Sequence, residues 1–294
     1  MAAPKAARIP SLIYGTAWKK DQTRALVKQA LLTGFRGVDT AAQPKHYQED
    51  LVGQGIRDAI AEGGLRREDL YIQTKFTSIH GQDPNKMPYN PEKSITNQVS
   101  SSVASSLHNL RHLEDPKAKS YLDCLVLHSP FPSMKDTQEA WRAMEIHVPQ
   151  QVRTLGISNI YQLENLKALY DFATIKPSVV QNRFYPATGY DTAIRGFCAE
   201  KGMIYQSFWT LTGSPRLLQS TPVAMLAERV GVSKPVAVYG LVLGLGNTSI
   251  LCGTTNSQRM QEDLVGVKMI KEWAEASPEV WRGHMKAFQA SISV

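Results

Sequence analysis

Residues 39–50 read DTAAQPKHYQED and place a carboxylate (Asp39), an ammonium (Lys45), an imidazole (His46) and a phenol (Tyr47) within nine consecutive positions. Each can give or take a proton, but on so short a stretch they cannot all point into one pocket. Two more candidates lie downstream, Lys75 in LYIQTKF and His128 in LDCLVLH. An acid, a lysine and a histidine brought together suit proton transfer at a substrate oxygen. Taken singly, each has a plainer reading: Asp39 as a turn cap, Lys75 as a rim charge, His128 as a hydrogen-bonded core residue. The elements that carry them decide.

Short apolar or β-branched runs alternate with helical patterns throughout. Eight candidate strands cover 11–17, 34–40, 70–76, 121–128, 154–159, 178–184, 203–209 and 249–255. Val99, Val103, Leu107 and Leu110 form one helical stripe, and Leu163, Leu166 and Leu169 another. Gly63-Gly64 stops the helix after the second strand. No linker or composition break divides the series, so the expected fold is a single (β/α)8 TIM barrel of α/β class over residues 1–294. In such barrels the chemistry sits at the C-terminal strand ends. Those ends carry Asp39, Lys75, His128, Ser158-Asn159, Gln181 and Phe208, and the last strand runs into GTTNSQR. An acid, a lysine and a histidine on successive strand ends outweigh the plainer readings, because a barrel mouth supplies the burial that lets a charge pair matter. Ser158 or Asn159 also suits the cap of a helix starting near Ile160, with Asn159 and Gln162 as a loose capping box.

With 43% hydrophobic residues the 294-residue chain can bury a large core. Its net charge of +7 suits an anionic ligand such as a phosphorylated cofactor. No basic run or aromatic-basic stripe points to nucleic acid. Cys124, Cys198 and Cys252 match no metal-ligand or CxxC spacing and read as reduced, buried thiols. No run suits a signal peptide or a membrane span, so a cytoplasmic protein without membrane partners is expected.

In order, YGTAWK, GVDTAAQPKHYQEDLVG, LYIQTKF, LDCLVLHSP, VRTLGISNIYQLENL, VVQNRFYP and TTNSQRMQEDL resemble the aldo-keto reductases over nearly the whole chain. Such enzymes reduce a small-molecule carbonyl compound with a nicotinamide cofactor, using an aspartate, tyrosine, lysine and histidine. In many relatives the tyrosine follows the aspartate by five residues, where this chain has Pro44. The ED-LVG that follows Tyr47 keeps the family's helix start in register, so the loop is three residues longer and Tyr47 is the match. Lys45 and His46 become loop residues near the mouth.

The resemblance implies Tyr47 as general acid, Lys75 and Asp39 as its tuning pair, and His128 as the group that orients the carbonyl. A free phenol titrates near 10, and a neighbouring ammonium is expected to lower that value. Trp18, Tyr47 and His128 would meet the substrate. Ser158, Asn159 and Gln181 would hold the nicotinamide carboxamide, with Phe208 stacking on the ring. Gly15, Thr16 and Asp39 would lie beside it, and Gly253, Thr254, Arg259, Glu262 and Asp263 would hold the adenosine end. Many relatives carry a lysine where this chain has Gly253, so NADPH is expected through Arg259 and Thr254, with NADH possible. The only dinucleotide-turn near-match, GLGNTS at 244–249, precedes a strand and fails the structural test.

Ser129, where many relatives carry a bulky tryptophan, and Thr77, near another such position, imply a wider, more polar mouth. The loop 77–93 is expected to overhang it, and Ser277 to cap a final helix that opens at Pro278. Two rivals remain. Potassium-channel β-subunits are similar to this family and serve as cofactor-binding partners of another protein. A Schiff-base lyase would instead use Lys75 as nucleophile.

Overall fold

The apolar runs become eight short parallel strands: β1 (Leu12–Gly15), β2 (Gly37–Asp39), β3 (Tyr71–Phe76), β4 (Leu122–Leu127), β5 (Val152–Ser158), β6 (Val179–Arg183), β7 (Ile204–Phe208) and β8 (Thr248–Cys252). They pair in chain order and close through β1 against β8, giving the (β/α)8 barrel. The computed structural model describes residues 8–115, 117–118 and 120–293. The helices are α1 (Thr23–Thr33), α2 (Glu49–Gly63), α3 (Ile95–Asn109), α4 (Met134–Glu145), α5 (Leu163–Phe172), α6 (Thr192–Lys201), α7 (Thr221–Val230), α8 (Lys234–Gly244), α9 (Ser257–Ala276) and α10 (Pro278–Ile292). Helices outside and side chains inside cover both faces of each strand, which is why β3 and β4 are buried at every position.

The strands are shorter than their apolar runs because the chain turns early. Gly34, at φ 126°, closes α1 by donating to Ala30 and Leu31, so β2 starts only at Gly37. Gly64 ends α2 in the left-handed region, as Gly63-Gly64 implied. Three other expectations are corrected. The helix after β5 begins at Leu163, not near Ile160, and neither Ser158 nor Asn159 caps it. Both side chains instead tie strand ends together. Ser277 precedes α10, but its side chain makes no capping bond. The loop 77–93 contributes no residue to the cleft lining. Instead Gln82 donates to the Ala42 carbonyl at 2.8 Å and Gln43 to the Gly81 carbonyl at 2.7 Å, bracing the turn that carries Tyr47.

Period-two alternation fixes which residues face the barrel interior. In β3 they are Tyr71, Gln73 and Lys75; in β4, Cys124 and Val126, leading to His128; in β6, Val179, Gln181 and Arg183. The floor is apolar, with Ile13, Tyr71, Cys124, Val126 and Val179 forming a cluster apart from the main core. The middle is lined by glutamines and the top by charged and aromatic groups. All three cysteines are buried and free.

Candidate active site

At the end of β2 and near the end of β3, Asp39 and Lys75 form an ion pair of 2.6 Å, each at most 2% exposed. Lys75 Nζ also donates to the Thr40 carbonyl at 2.9 Å. The other oxygen of Asp39 accepts from Gln73 at 2.7 Å and Gln181 at 3.0 Å. Burial alone would lower the Lys75 pKa, but Asp39 and Tyr47 together hold it above its ordinary value. Removing one partner of such a pair leaves an uncompensated buried charge, a loss of roughly 3–5 kcal/mol.

The longer loop folds into a turn in which the His46 and Tyr47 amides both donate to the Gln43 carbonyl, at 3.1 and 3.0 Å. That turn aims Tyr47 into the mouth, 5.2 Å from Lys75 Nζ to ring centroid. The Tyr47 and His128 rings meet edge to face at 6.1 Å. Lys45 is exposed at the tip, while His46 turns back onto Trp18, their ring centroids 3.7 Å apart. Trp18 is 65% exposed and lines the opening beside it. One expectation is reversed: burial pushes the Tyr47 phenol above its ordinary value, and the opposing pull of Lys75 does not overcome it.

His128 is neutral. Burial, then the charges of Lys75 and His46, bring its pKa down to about 3. Its Nδ1 lies 2.7 Å from the Thr77 hydroxyl, and its carbonyl accepts from Asn159 Nδ2 at 2.9 Å. Thr77 fixes the ring, and Nε2 makes no protein hydrogen bond among the described residues. Ser129 donates back to the His128 carbonyl instead of shaping the cleft.

From this mouth a cleft of about 990 Å³ runs to the start of α9. It is lined by Trp18, Asp39, Tyr47, His128, Ser158, Asn159, Gln181, Phe208, Gly253, Thr254, Arg259, Glu262, Asp263 and Gly15. Lys75 lies beneath, reached through Tyr47. Thr16 is the exception: it is fully buried, and its amide and hydroxyl both donate to the Asp39 carbonyl, at 3.0 and 2.9 Å. It positions Asp39 and does not face the cleft. Ser158 Oγ donates to the Gln181 carbonyl at 2.7 Å, and Asn159 adopts φ 53°, turning its amide toward the mouth. Arg259 stands in the first turn of α9, where its backbone amide caps onto Asn256 Oδ1 at 2.9 Å. Asp263, just behind, accepts from the Cys252 thiol at 3.1 Å.

Sequence reasoning missed Lys19, Gln73, Gln206 and Arg183. Lys19 reaches across from the β1–α1 turn to hydrogen-bond the Gly253 carbonyl. Its ammonium would lie 3.7 Å from a Cβ built on Gly253, so it puts a cation beside the strand position that lacks a lysine. The two positions are 234 residues apart in sequence, and no local pattern links them.

The aldo/keto reductase family profile matches residues 11–220. The chain belongs to the aldo/keto reductase family, NAD(P)H-dependent oxidoreductases that reduce carbonyl groups. It is 27% identical over 271 residues to a D-galacturonate reductase of Hypocrea jecorina, covering 87% of this chain and 82% of that one. It is 27% identical over 297 residues to a D/L-glyceraldehyde reductase of the same organism, covering 90% and 82%. In fold it is similar to a Bombyx mori aldo-keto reductase solved with NADP, with a TM-score of 0.70, 21% identity and coverage of 90% and 89%.

Proposed function

We propose that residues 1–294 act as one cytoplasmic barrel unit that reduces aldehydes or ketones to alcohols with NADPH, Tyr47 being the general acid. The observation that carries this is the convergence of Tyr47, His128 and the buried Lys75–Asp39 pair at one end of a single long cleft. The cleft suits a dinucleotide: amides and a flat ring (Asn159, Gln181, Phe208) lie near the tetrad, cations and a hydroxyl (Lys19, Arg259, Thr254) farther along. The cofactor would bring the hydride. Ser158, Asn159 and Gln181 would hold its carboxamide, Phe208 would support the ring, and Arg259 with Thr254 would take the 2′-phosphate.

Neutral His128, its Nδ1 engaged by Thr77, has Nε2 left to hydrogen-bond the carbonyl oxygen and hold it near Tyr47. Tyr47 then releases its proton to that oxygen, and Lys75 stabilises the phenolate that remains. Asp39 keeps Lys75 in place. The substrate is a small carbonyl compound. The chain's positive charge serves a phosphorylated ligand, with no nucleic-acid or membrane partner.

The test is Tyr47→Phe. A positioned acid contributes roughly 10²–10⁴-fold, so turnover of an aldehyde panel should fall by at least about a hundredfold with the NADPH Kd nearly unchanged. Parallel loss of turnover and binding would sink the assignment. Tight NADPH binding without turnover in the unaltered protein would favour the cofactor-binding partner protein.

A further inference from the structure

Among the described residues no carboxylate forms an ion pair with Arg183, and its guanidinium donates no hydrogen bond. The residue closes β6 two residues after Gln181, on the same interior face, and pairs in register with Phe208. Its guanidinium lies 4.4 Å from the Trp209 ring centroid and 5.9 Å from that of Phe208, and the side chain lines the cleft. Its Nε is shielded from solvent and has no hydrogen-bond partner.

Two shielded arginines away from the cleft share the unpartnered Nε, but each has a carboxylate at hand. Arg67 and Arg153 both pair with Asp123, at 2.8 and 2.9 Å. The carboxylates of the cleft are engaged elsewhere: Asp39 by Lys75, Glu262 by Gln258, and Asp263 by Cys252. A guanidinium cannot shed its charge, and it offers five donors in one plane. A side chain so placed, stacked on Trp209 and short of acceptors, is arranged for a ligand that supplies them.

We propose that Arg183 is an anion-binding residue of the cleft, taking an oxyanion beside the nicotinamide-stacking Phe208. That chemistry has two sources: a phosphate oxygen of the cofactor's diphosphate, or a carboxylate on the carbonyl substrate. The proposal rests on the reductase reading above and adds to it the charge of the group bound beyond Phe208.

Binding of NADPH and of NADH to the unaltered protein, Arg183→Met and Arg183→Lys, followed by protein fluorescence, separates these cases. The same proteins are assayed for KM with D-galacturonate and with uncharged D-glyceraldehyde. A phosphate partner predicts that Arg183→Met weakens both cofactors by the same factor, roughly tenfold or more. A carboxylate partner predicts a comparable rise in KM for D-galacturonate alone. In either case the effect shrinks at about 1 M salt, and Arg183→Lys recovers part of it. Unchanged Kd and KM in an Arg183→Met protein with a native thermal melt would overturn the proposal while leaving the reductase reading intact. If the unaltered protein binds neither cofactor, the reductase reading fails first and this proposal with it. Should Arg183→Met not fold, Arg183→Lys gives the same comparison, because a point charge does not reproduce the planar fork.

Discussion

The side-chain amides of Gln73 and Gln206 exchange two hydrogen bonds across the barrel interior, at 2.8 and 3.0 Å. Gln181 donates to the same Gln206 oxygen at 2.9 Å, and Tyr71 donates to Gln73 at 2.8 Å. Gln73 and Gln181 then both reach Asp39, so the tetrad's acid rests on a platform of glutamines that excludes water. Such a network is worth having only when every member is satisfied.

Breaking the platform at two points should therefore cost less than the two single breaks added together. Gln73→Leu or Gln206→Leu alone strands the opposite amide and should cost about 1–3 kcal/mol of stability. The double variant should lose less than the sum of the two, as expected for groups that share partners. Denaturant melts of the four proteins measure this coupling. Gln73→Leu also removes a donor from Asp39 and should lower kcat several-fold while Gln206→Leu, one bond further away, lowers it less. Strict additivity would show that the two amides do not act as a unit.

The protonation states of the tetrad set a pH profile. With Tyr47 as the proposed general acid, reduction needs its phenol protonated, so the rate should fall as pH rises through its pKa. Burial lifts that pKa above the ordinary phenol value near 10, and the alkaline limb should lie correspondingly high. On the acid side, His128 charges only as pH approaches about 3. A profile of kcat/KM against pH should be flat through neutrality and lose its alkaline limb in Tyr47→Phe. An acid limb near 6.5 that vanishes in a His128 variant would contradict the neutral, buried imidazole.

Much of this site is legible in the chain because strand ends are local features. Asp39, Lys75, His128, Ser158 and Gln181 each follow an apolar run, and a barrel brings all such ends to one rim. Tyr47 is found by register, since EDLVG fixes the start of α2 and the turn closes on Gln43. What escapes is decided by pairings across the barrel. Gln73 and Gln206 are 133 positions apart and look like ordinary strand polar residues until the barrel closes. The sign of the Tyr47 shift escapes for a related reason: a neighbouring cation is visible in sequence, but the desolvation that outweighs it is not.

Cofactor preference should separate two cations. Arg259 stands in the first turn of α9 and is the residue proposed to take the 2′-phosphate, so Arg259→Ala should weaken NADPH roughly tenfold and leave NADH nearly unchanged. Lys19 arrives from the β1 side, lining the same cleft and hydrogen-bonded to the Gly253 carbonyl, and is proposed to meet a phosphate that both cofactors carry. Lys19→Met should weaken both. Titrations of each variant with each cofactor check the pattern. Selective loss of NADPH in Lys19→Met would assign the 2′-phosphate to Lys19 instead.

Asp263 predicts a gain of stability on removing a charge. Burial lifts its carboxyl to about 6, and the thiol of Cys252 opposes the rise without cancelling it. An unfolded aspartate titrates near 3.9, so between about pH 4 and pH 6 the unfolded chain releases a proton that the folded chain retains. Stability attached to this raised pKa is fully present below about pH 4 and is lost as pH rises through about 6. Asp263→Asn keeps an oxygen for the Cys252 thiol and removes the ionisation. It should be more stable than the unaltered protein by on the order of 1–2 kcal/mol at pH 7.5, and no different at pH 4. Urea melts at the two pH values decide it. A variant destabilised at pH 7.5 would mean that the ionised carboxylate is held by a cation, with Arg259 on the same helix the candidate, and the Arg259→Ala protein should then show the same loss.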